Sequence, residues 1–385
     1  MAGFSRNNSI RLVHSGEDFF GLLGNLIDNA THSIHLHTYI FGDDSTGTAV
    51  ADCLVKAARR GVKVYMLIDG YASSSLPAAF IKNLTDADVA FRFFKPLFKS
   101  RSLYFGRRLH HKVIVVDGIN ALVGGINIAD RYNDTEEEKA WLDLALYVYG
   151  DAAKELYQMC CRLWTRRRSK QFAPPASLPP KPEFVETMEN CSVRVRRNDW
   201  VKRKQEIWRT YMEIFRSSRE SITILCSYFM PGTSFRKALE RAAKRGVKIK
   251  VILTSQSDVP LSKNAERYLY RWMIRNKIQI YEYKPCVVHG KMAVADNQLL
   301  TIGSFNINNI SAYASIELNL DVNDAGFSEK VQKKLADIIS CDCEAINSST
   351  YKTKLYSFTQ FMQWSSFQVI RFFLTISTFY FRQRE

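Results

Sequence analysis

Residues 110–127 read HHKVIVVDGINALVGGIN, and residues 289–306 read HGKMAVADNQLLTIGSFN. The two stretches share one spacing: His110, Lys112, Asp117, Gly124 and Asn127 in the first, His289, Lys291, Asp296, Gly303 and Asn306 in the second, each displaced by 179 residues. Five fixed positions coincide by chance at about three starts in ten million when each residue type has a frequency near 5%. Two such stretches in one chain are therefore a duplication. On a strand, period two puts the His and Lys of H-x-K on one face, while the apolar VIVV or MAVA run carries the strand into a core. The glycine that ends the next strand lets backbone approach a bound group, and the Asn then projects toward the same place.

Outward from the motifs the repeat continues. SIHLHTYIF at 33–41 matches SITILCSYF at 221–229, and KAARRGVKVYMLI at 56–68 matches RAAKRGVKIKVIL at 241–253. Each copy predicts a helix closed by Gly61 or Gly246 with a strand directly after, hence an α/β fold with strands packed between helices. Two similar halves related by a pseudo-twofold axis would share one site at their junction. Residues 165–183 hold five of the ten prolines and read as a connector. The expected organisation is a first half at 1–164, the connector at 165–183, a second half at 184–347 and a tail at 348–385.

Composition narrows the function class. With 54 Lys+Arg against 38 Asp+Glu, the 385-residue chain carries a formal charge of +16, which favours nucleic acid, an anionic membrane or a phosphorylated substrate. Its 46% hydrophobic content excludes a disordered or collagenous protein. The eight cysteines show no paired C-x-x-C spacing, and the first residues lack a secretory pattern, so reduced thiols facing a cytoplasm are expected. His35 and His37 read as structural, as does His111, which points away from His110 on a regular strand.

The tail run FQVIRFFLTISTFYF, 367–381, is interrupted by Arg371 and shorter than the roughly 20 apolar residues that span a bilayer. Gln368, Arg371, Thr375, Thr378 and Arg382 would form a polar stripe on a helix that either lies in a membrane interface or docks on the protein itself. FRFFKPLFKSRSLYFGRR, 91–108, interleaves aromatic and basic residues and reads as a lipid-entry lip, a nucleic-acid stacking surface or a solvated loop.

Each half offers an imidazole, an ammonium and a carboxamide, the set that holds a tetrahedral phosphoryl group. Two histidines support phosphodiester chemistry without metal or cofactor, one attacking phosphorus and the other protonating the departing alkoxide. The expected catalytic set is His110, Lys112, Asp117, His289, Lys291 and Asp296. Asn127, Asn306, Gly125 and Ser304 are expected around the phosphate. Asp143 in AWLDLALYV and Glu317 in SIELNLDV are expected to bond the imidazoles and fix their tautomers.

The duplicated HxKxxxxD motif with its Gly-rich turn and Asn resembles the phospholipase D superfamily. The runs VGGINIADRY, QIYEYKPCVVHGKMAVAD and GSFNINNISAYASIELNLDV look like its bacterial cardiolipin synthase branch, in the form lacking two N-terminal membrane helices. The resemblance implies two phospholipase D-like α/β/α halves. It also implies transfer of a phosphatidyl group onto the hydroxyl of another phospholipid, typically phosphatidylglycerol, with release of glycerol. In that family the first-motif histidine is usually the nucleophile, which assigns attack to His110 and protonation to His289. The protein would be peripheral at the cytoplasmic face of the bacterial membrane, complete in one chain, with phospholipid substrates and no nucleic-acid partner. A phospholipase D-type hydrolase, a metal-independent nuclease and a catalytically silent membrane-binding scaffold stand as alternatives. The chain departs from its own repeat where GGIN in the first copy becomes GSFN in the second, and its aromatic tail has no counterpart in the family pattern.

Overall fold

A computed structural model describes residues 3–95, 107–165, 179–308, 311, 315–349, 351 and 358–382, with side chains of the last helix described through residue 372. Most of the connector and of the aromatic stretch 91–108, and the side chains of Thr375, Thr378 and Arg382, lie outside the described residues.

The duplication is complete at the level of topology. The first sheet runs Asn8–His14, Leu144–Gly150, Asn120–Gly124, Lys112–Val116, Ser33–Thr38, Lys63–Asp69, Ala90–Phe94. The second repeats that order with Val193–Asp199, Ser315–Asn323, Leu299–Gly303, Lys291–Ala295, Ser221–Cys226, Lys248–Thr254 and Gln279–Tyr283, and adds Lys204–Gln205 and Cys343–Ile346 at its edges. In each sheet the three strands joined through helices are parallel, and the motif strands pair antiparallel.

The glycines named from the sequence end their helices for an identifiable reason. After Ser45–Arg59, Gly61 takes φ +93°, Gly61 N–H donates to Ala58 and Val62 N–H to Ala57. After Thr233–Lys244, Gly246 takes φ +93°, Gly246 N–H donates to Ala243 and Val247 N–H to Ala242. The left-handed turn satisfies carbonyls that would otherwise be orphaned, and it feeds the next strand at once.

Both motif strands, KVIVV and KMAVA, are buried along their whole length. One hydrophobic cluster contains residues of both halves, Val113, Val123 and Leu146 with Val294, Ile302 and Leu318, so the two sheets face each other across a common core. Separate clusters lie under the outer helices of each half. Sheet therefore sits between helical layers in each half, and the histidine ends of the motif strands meet at the seam.

Candidate active site

The seam is stitched by two short parallel pairings, one per histidine. Arg108–Leu109 pairs with Ser315–Ile316, and His110 N–H donates to the Ile316 carbonyl at 3.1 Å. Leu142 pairs with Val288, and His289 N–H donates to the Leu142 carbonyl at 2.8 Å. Each pairing brings the residue before a histidine beside the residue before an acid of the other half. The acids are consequently exchanged: His110 Nδ1 lies 2.9 Å from both oxygens of Glu317, and His289 Nδ1 lies 2.6 Å from Asp143 Oδ2. With Nδ1 donating to a carboxylate, Nε2 of each ring is left for chemistry.

Lys112 donates to the His110 carbonyl at 2.7 Å, and Lys291 donates to the His289 carbonyl with its ammonium 2.9 Å from that ring's Nδ1. Burial is the main force on both histidines, both lysines and Asp143, because a buried group is poorly solvated as an ion. It lowers His110, a fall that Glu317 opposes and both lysines reinforce. It takes His289 down to about 3, with Lys291 adding to the fall and Asp143 opposing it. Lys112 falls to about 7, through burial first and the nearby Lys291 charge second, and Lys291 is also lowered by burial. For Asp143 burial works upward, but Lys291 and His289 together outweigh it and hold the carboxyl below its ordinary range. The resting site thus holds neutral imidazoles, with an ionised Asp143 beside His289.

The residues after the strand-end glycines serve the acids. A Cβ on Gly125 would stand 2.5 Å from Asp143 Oδ1, so only glycine leaves room for that carboxylate. Ser304, at the matching position, donates its hydroxyl to Glu317 and is fully buried. Both were expected at the phosphate; their side-chain positions are taken up by the acids instead. Asn127 accepts from Ile40 N–H at 3.1 Å and donates to the Tyr132 hydroxyl at 2.9 Å. The Asn306 carboxamide oxygen is buried and finds no partner among the described residues.

Asp117 and Asp296 need a larger correction. Both follow the far end of their strands, away from the histidines, in left-handed backbone with φ 51° and 50°. Asp117 accepts from the backbone N–H groups of Thr31, His32 and Ser33 and from the Thr31 hydroxyl. Asp296 accepts from Arg219, Glu220 and Ser221 N–H. They cap the start of the neighbouring strand and do not reach the reacting groups. A carboxylate seven residues from a histidine reads as catalytic only if the intervening strand length is ignored: five residues at about 3.3 Å each carry it some 16 Å away.

Three aromatic or polar contributors escaped the sequence reading. The buried Tyr132 hydroxyl lies 3.4 Å from His289 Nε2. The Tyr39 ring meets His110 edge-on at 4.8 Å and lies under Lys112. Asp69 accepts from Leu109 N–H at 2.8 Å, anchoring the residue before His110. Asp69 ends a strand just before a glycine, which was a usable signal; Tyr39 and Tyr132 carried none. Arg107, which flanks the motif, pairs with Asp199 at 2.6 Å. His111 is buried and stacks on His37, while His35 stacks on Tyr65, as structural histidines. Among the described residues no group of three or more His, Cys, Asp or Glu gathers as metal ligands.

The family described as "Cardiolipin synthase, PLD-like domain" matches residues 23–161 and 211–339, one match per half. Cardiolipin synthase B of Escherichia coli (strain K12) is 31% identical over 354 residues, covering 89% of this chain and 83% of that protein. Cardiolipin synthase B of Salmonella typhi is 31% identical over 360 residues, covering 90% and 84%. Among solved structures, phosphatidylserine synthase of Haemophilus influenzae superposes with a TM-score of 0.70 at 15% identity, covering 96% of this chain and 95% of that one. The last of these is a likeness of fold.

Proposed function

The chain belongs to the cardiolipin synthase family of phosphatidyltransferases in the phospholipase D superfamily, and on that premise we propose a two-step transfer through a phosphohistidine. In the first step His110 Nε2 attacks the phosphorus of phosphatidylglycerol. A P–N bond forms, the P–O bond to glycerol breaks, and His289 Nε2–H gives its proton to the departing alkoxide. In the second step the hydroxyl of another phosphatidylglycerol attacks phosphorus, its proton goes to His289 Nε2, and the P–N bond breaks to free His110. Cardiolipin and glycerol are the products.

One observation carries this reading: each imidazole is held through Nδ1 by an acid of the opposite half. That arrangement supports complementary roles for the two Nε2 atoms. A neutral His110 is ready to attack. His289 needs a proton, and the arriving phosphodiester supplies the negative charge that raises the proton affinity of a buried imidazole. Lys112, Lys291 and the Nδ2–H group of Asn306 would then stabilise the non-bridging oxygens.

Purified protein incubated with phosphatidylglycerol vesicles and chelator, with lipids followed by mass, tests the proposal. Cardiolipin and glycerol should form with the intact chain and not with His110→Ala. Phosphatidic acid in their place would mean that water is the acceptor, and no lipid product with cleavage of single-stranded DNA would replace the reading with a nuclease.

A further inference from the structure

The C-terminal helix, Phe358–Arg382, is turned the wrong way for a helix facing water. Its buried side includes Gln363 and Ser366, while Phe358 is 78% exposed, Phe361 60%, Trp364 45%, Met362 42% and Val369 40%. Phe358, Phe361, Met362 and Val369 fall at steps of three, four and eleven residues, which is one helix face. An exposed apolar face of this length costs free energy in water unless something covers it.

The inner side of the helix is fastened to the second half. Phe367 and Ile370 pack on a cluster of Met230, Ala265 and Leu269, and the Phe367 ring lies 4.9 Å from Tyr268. The Tyr351 hydroxyl donates to the Arg267 carbonyl at 2.6 Å and lies 3.0 Å from the Gln363 amide oxygen. This docking surface adjoins the site: Met230 N–H donates to the Ile307 carbonyl, one residue beyond Asn306, and Phe229 N–H donates to Glu266. The supporting helix, Pro260–Tyr268, starts beside the Tyr228–Asp258 hydrogen bond and exposes Val259 and Leu261 there. Tyr71 is likewise exposed just after Asp69, at the matching strand end of the first half. Apolar side chains thus flank both strand ends that open onto the histidines, and the C-terminal helix extends that rim.

We infer that this helix is a membrane-docking element that seats its Phe358, Phe361, Met362, Trp364 and Val369 face in the headgroup region of a phospholipid bilayer. The inference rests on the phospholipid substrate proposed above, whose acyl chains must leave a bilayer to reach a buried phosphoryl site. The helix lies on the membrane and does not cross it, because its other face is already occupied by Tyr268, Leu269 and Met230. Phe, Trp and Met are the residues that suit the boundary between headgroups and acyl chains. Val259, Leu261 and Tyr71 would meet the same surface, so docking also sets the distance between the site mouth and the lipid phosphates.

The test uses the full chain and vesicles of phosphatidylglycerol mixed with phosphatidylethanolamine, with flotation to measure binding. A Phe361→Ser/Trp364→Ser double variant should float about tenfold less than the wild type, and Phe361→Leu should float normally. Activity on vesicles should fall about tenfold more than activity on short-chain phosphatidylglycerol kept below its micelle concentration. Wild-type flotation by the double variant would overturn the inference. So would a wild-type dimer in solution that the double variant dissociates, since a second copy would then cover the face. Activity on the soluble lipid tests the transfer reading by itself: a wild type that floats but transfers nothing from either lipid breaks that reading and leaves docking standing.

Discussion

The two halves build the same site with different side chains, and the differences fall into a pattern. The residue before each histidine is anchored at the matching strand end, Leu109 N–H on Asp69 and Val288 N–H on Thr254. The acids are Asp143 and Glu317, nineteen residues after Gly124 and fourteen after Gly303, set at the same register in each sheet. The shorter acid comes with Gly125, which gives it space, and the longer with Ser304, which gives it a hydrogen bond. Beyond the Asn of each motif, Tyr132 stands where the second copy has Ser311; the first closes over His289, whereas the second accepts from Asn306 N–H. Under the motif strands the first half stacks His37 on His111, and the second packs Leu225 over Gly290. Duplication kept the histidines, lysines and asparagines of the motif, while the groups around them diverged.

The histidines offer the largest test of that asymmetry. His110→Ala and His289→Ala should each cost on the order of 10³-fold or more in turnover. They should differ in labelling: with a phosphate-labelled donor whose nitrophenolate leaving group departs without a proton, His289→Ala should retain an adduct on His110 and His110→Ala should form none. An adduct on His289 in the second variant would reverse the roles of the halves.

Next come the acids. Glu317→Gln and Asp143→Asn keep the shape of the side chain but lose the charge that supports an imidazolium, and turnover should drop by about 10²-fold in each. Because the pairing is crossed, Glu317→Gln should move the pH dependence assigned to His110 and Asp143→Asn that of His289, as read by NMR of the labelled imidazoles. Movement of the histidine of the same half would break the crossed arrangement.

A smaller effect separates the supports. Gly125→Ser forces a side chain against Asp143 and should destabilise the protein by about 1–3 kcal/mol with loss of activity. Ser304→Gly removes one hydrogen bond to Glu317, worth about 1–2 kcal/mol to a charged partner, and should leave a folded enzyme of reduced rate. Urea melts of the two variants measure the difference, and equal losses would erase the distinction between the halves.

Acid provides the mildest test. Burial takes His35 and His111 down to about 3 and His37 well below its ordinary value of 6.5, whereas the equivalent positions in the second half are Thr223, Leu225 and Gly290. Unfolded imidazoles bind protons below about pH 6.5 and the folded ones do not until much lower, so stability present above 6.5 is lost progressively as pH falls toward 3. Hydrogen exchange at pH 5 should show the first sheet opening before the second. His37→Leu with His111→Gly should remove that difference, and an acid response shared equally by both sheets would contradict it.

Much of this was legible in one dimension. Local chemistry marks the ends of elements, as at Gly61 and Gly246, and period two assigns faces, so His110 with Lys112 and His289 with Lys291 could be placed together without coordinates. Asp117 and Asp296 misled because a repeated motif is read as one functional unit. Strand rise carries its last member to the opposite end of the sheet, where four and three hydrogen bonds give it a structural task. Tyr132 was invisible because its partner, His289, is 157 residues away.

By itself the sequence determined that the chain is a duplication, that each copy is an α/β unit, and which imidazoles, ammonium groups and carboxamides face one way. These are consequences of periodicity and local backbone geometry, which act over a few residues. Tertiary structure alone decided which acid serves which histidine, why Gly125 and Ser304 differ, and which face of the C-terminal helix stays bare. Those outcomes depend on how two sheets meet across a shared core and on what each neighbour has already occupied, and contacts of that kind leave no periodic trace along the chain.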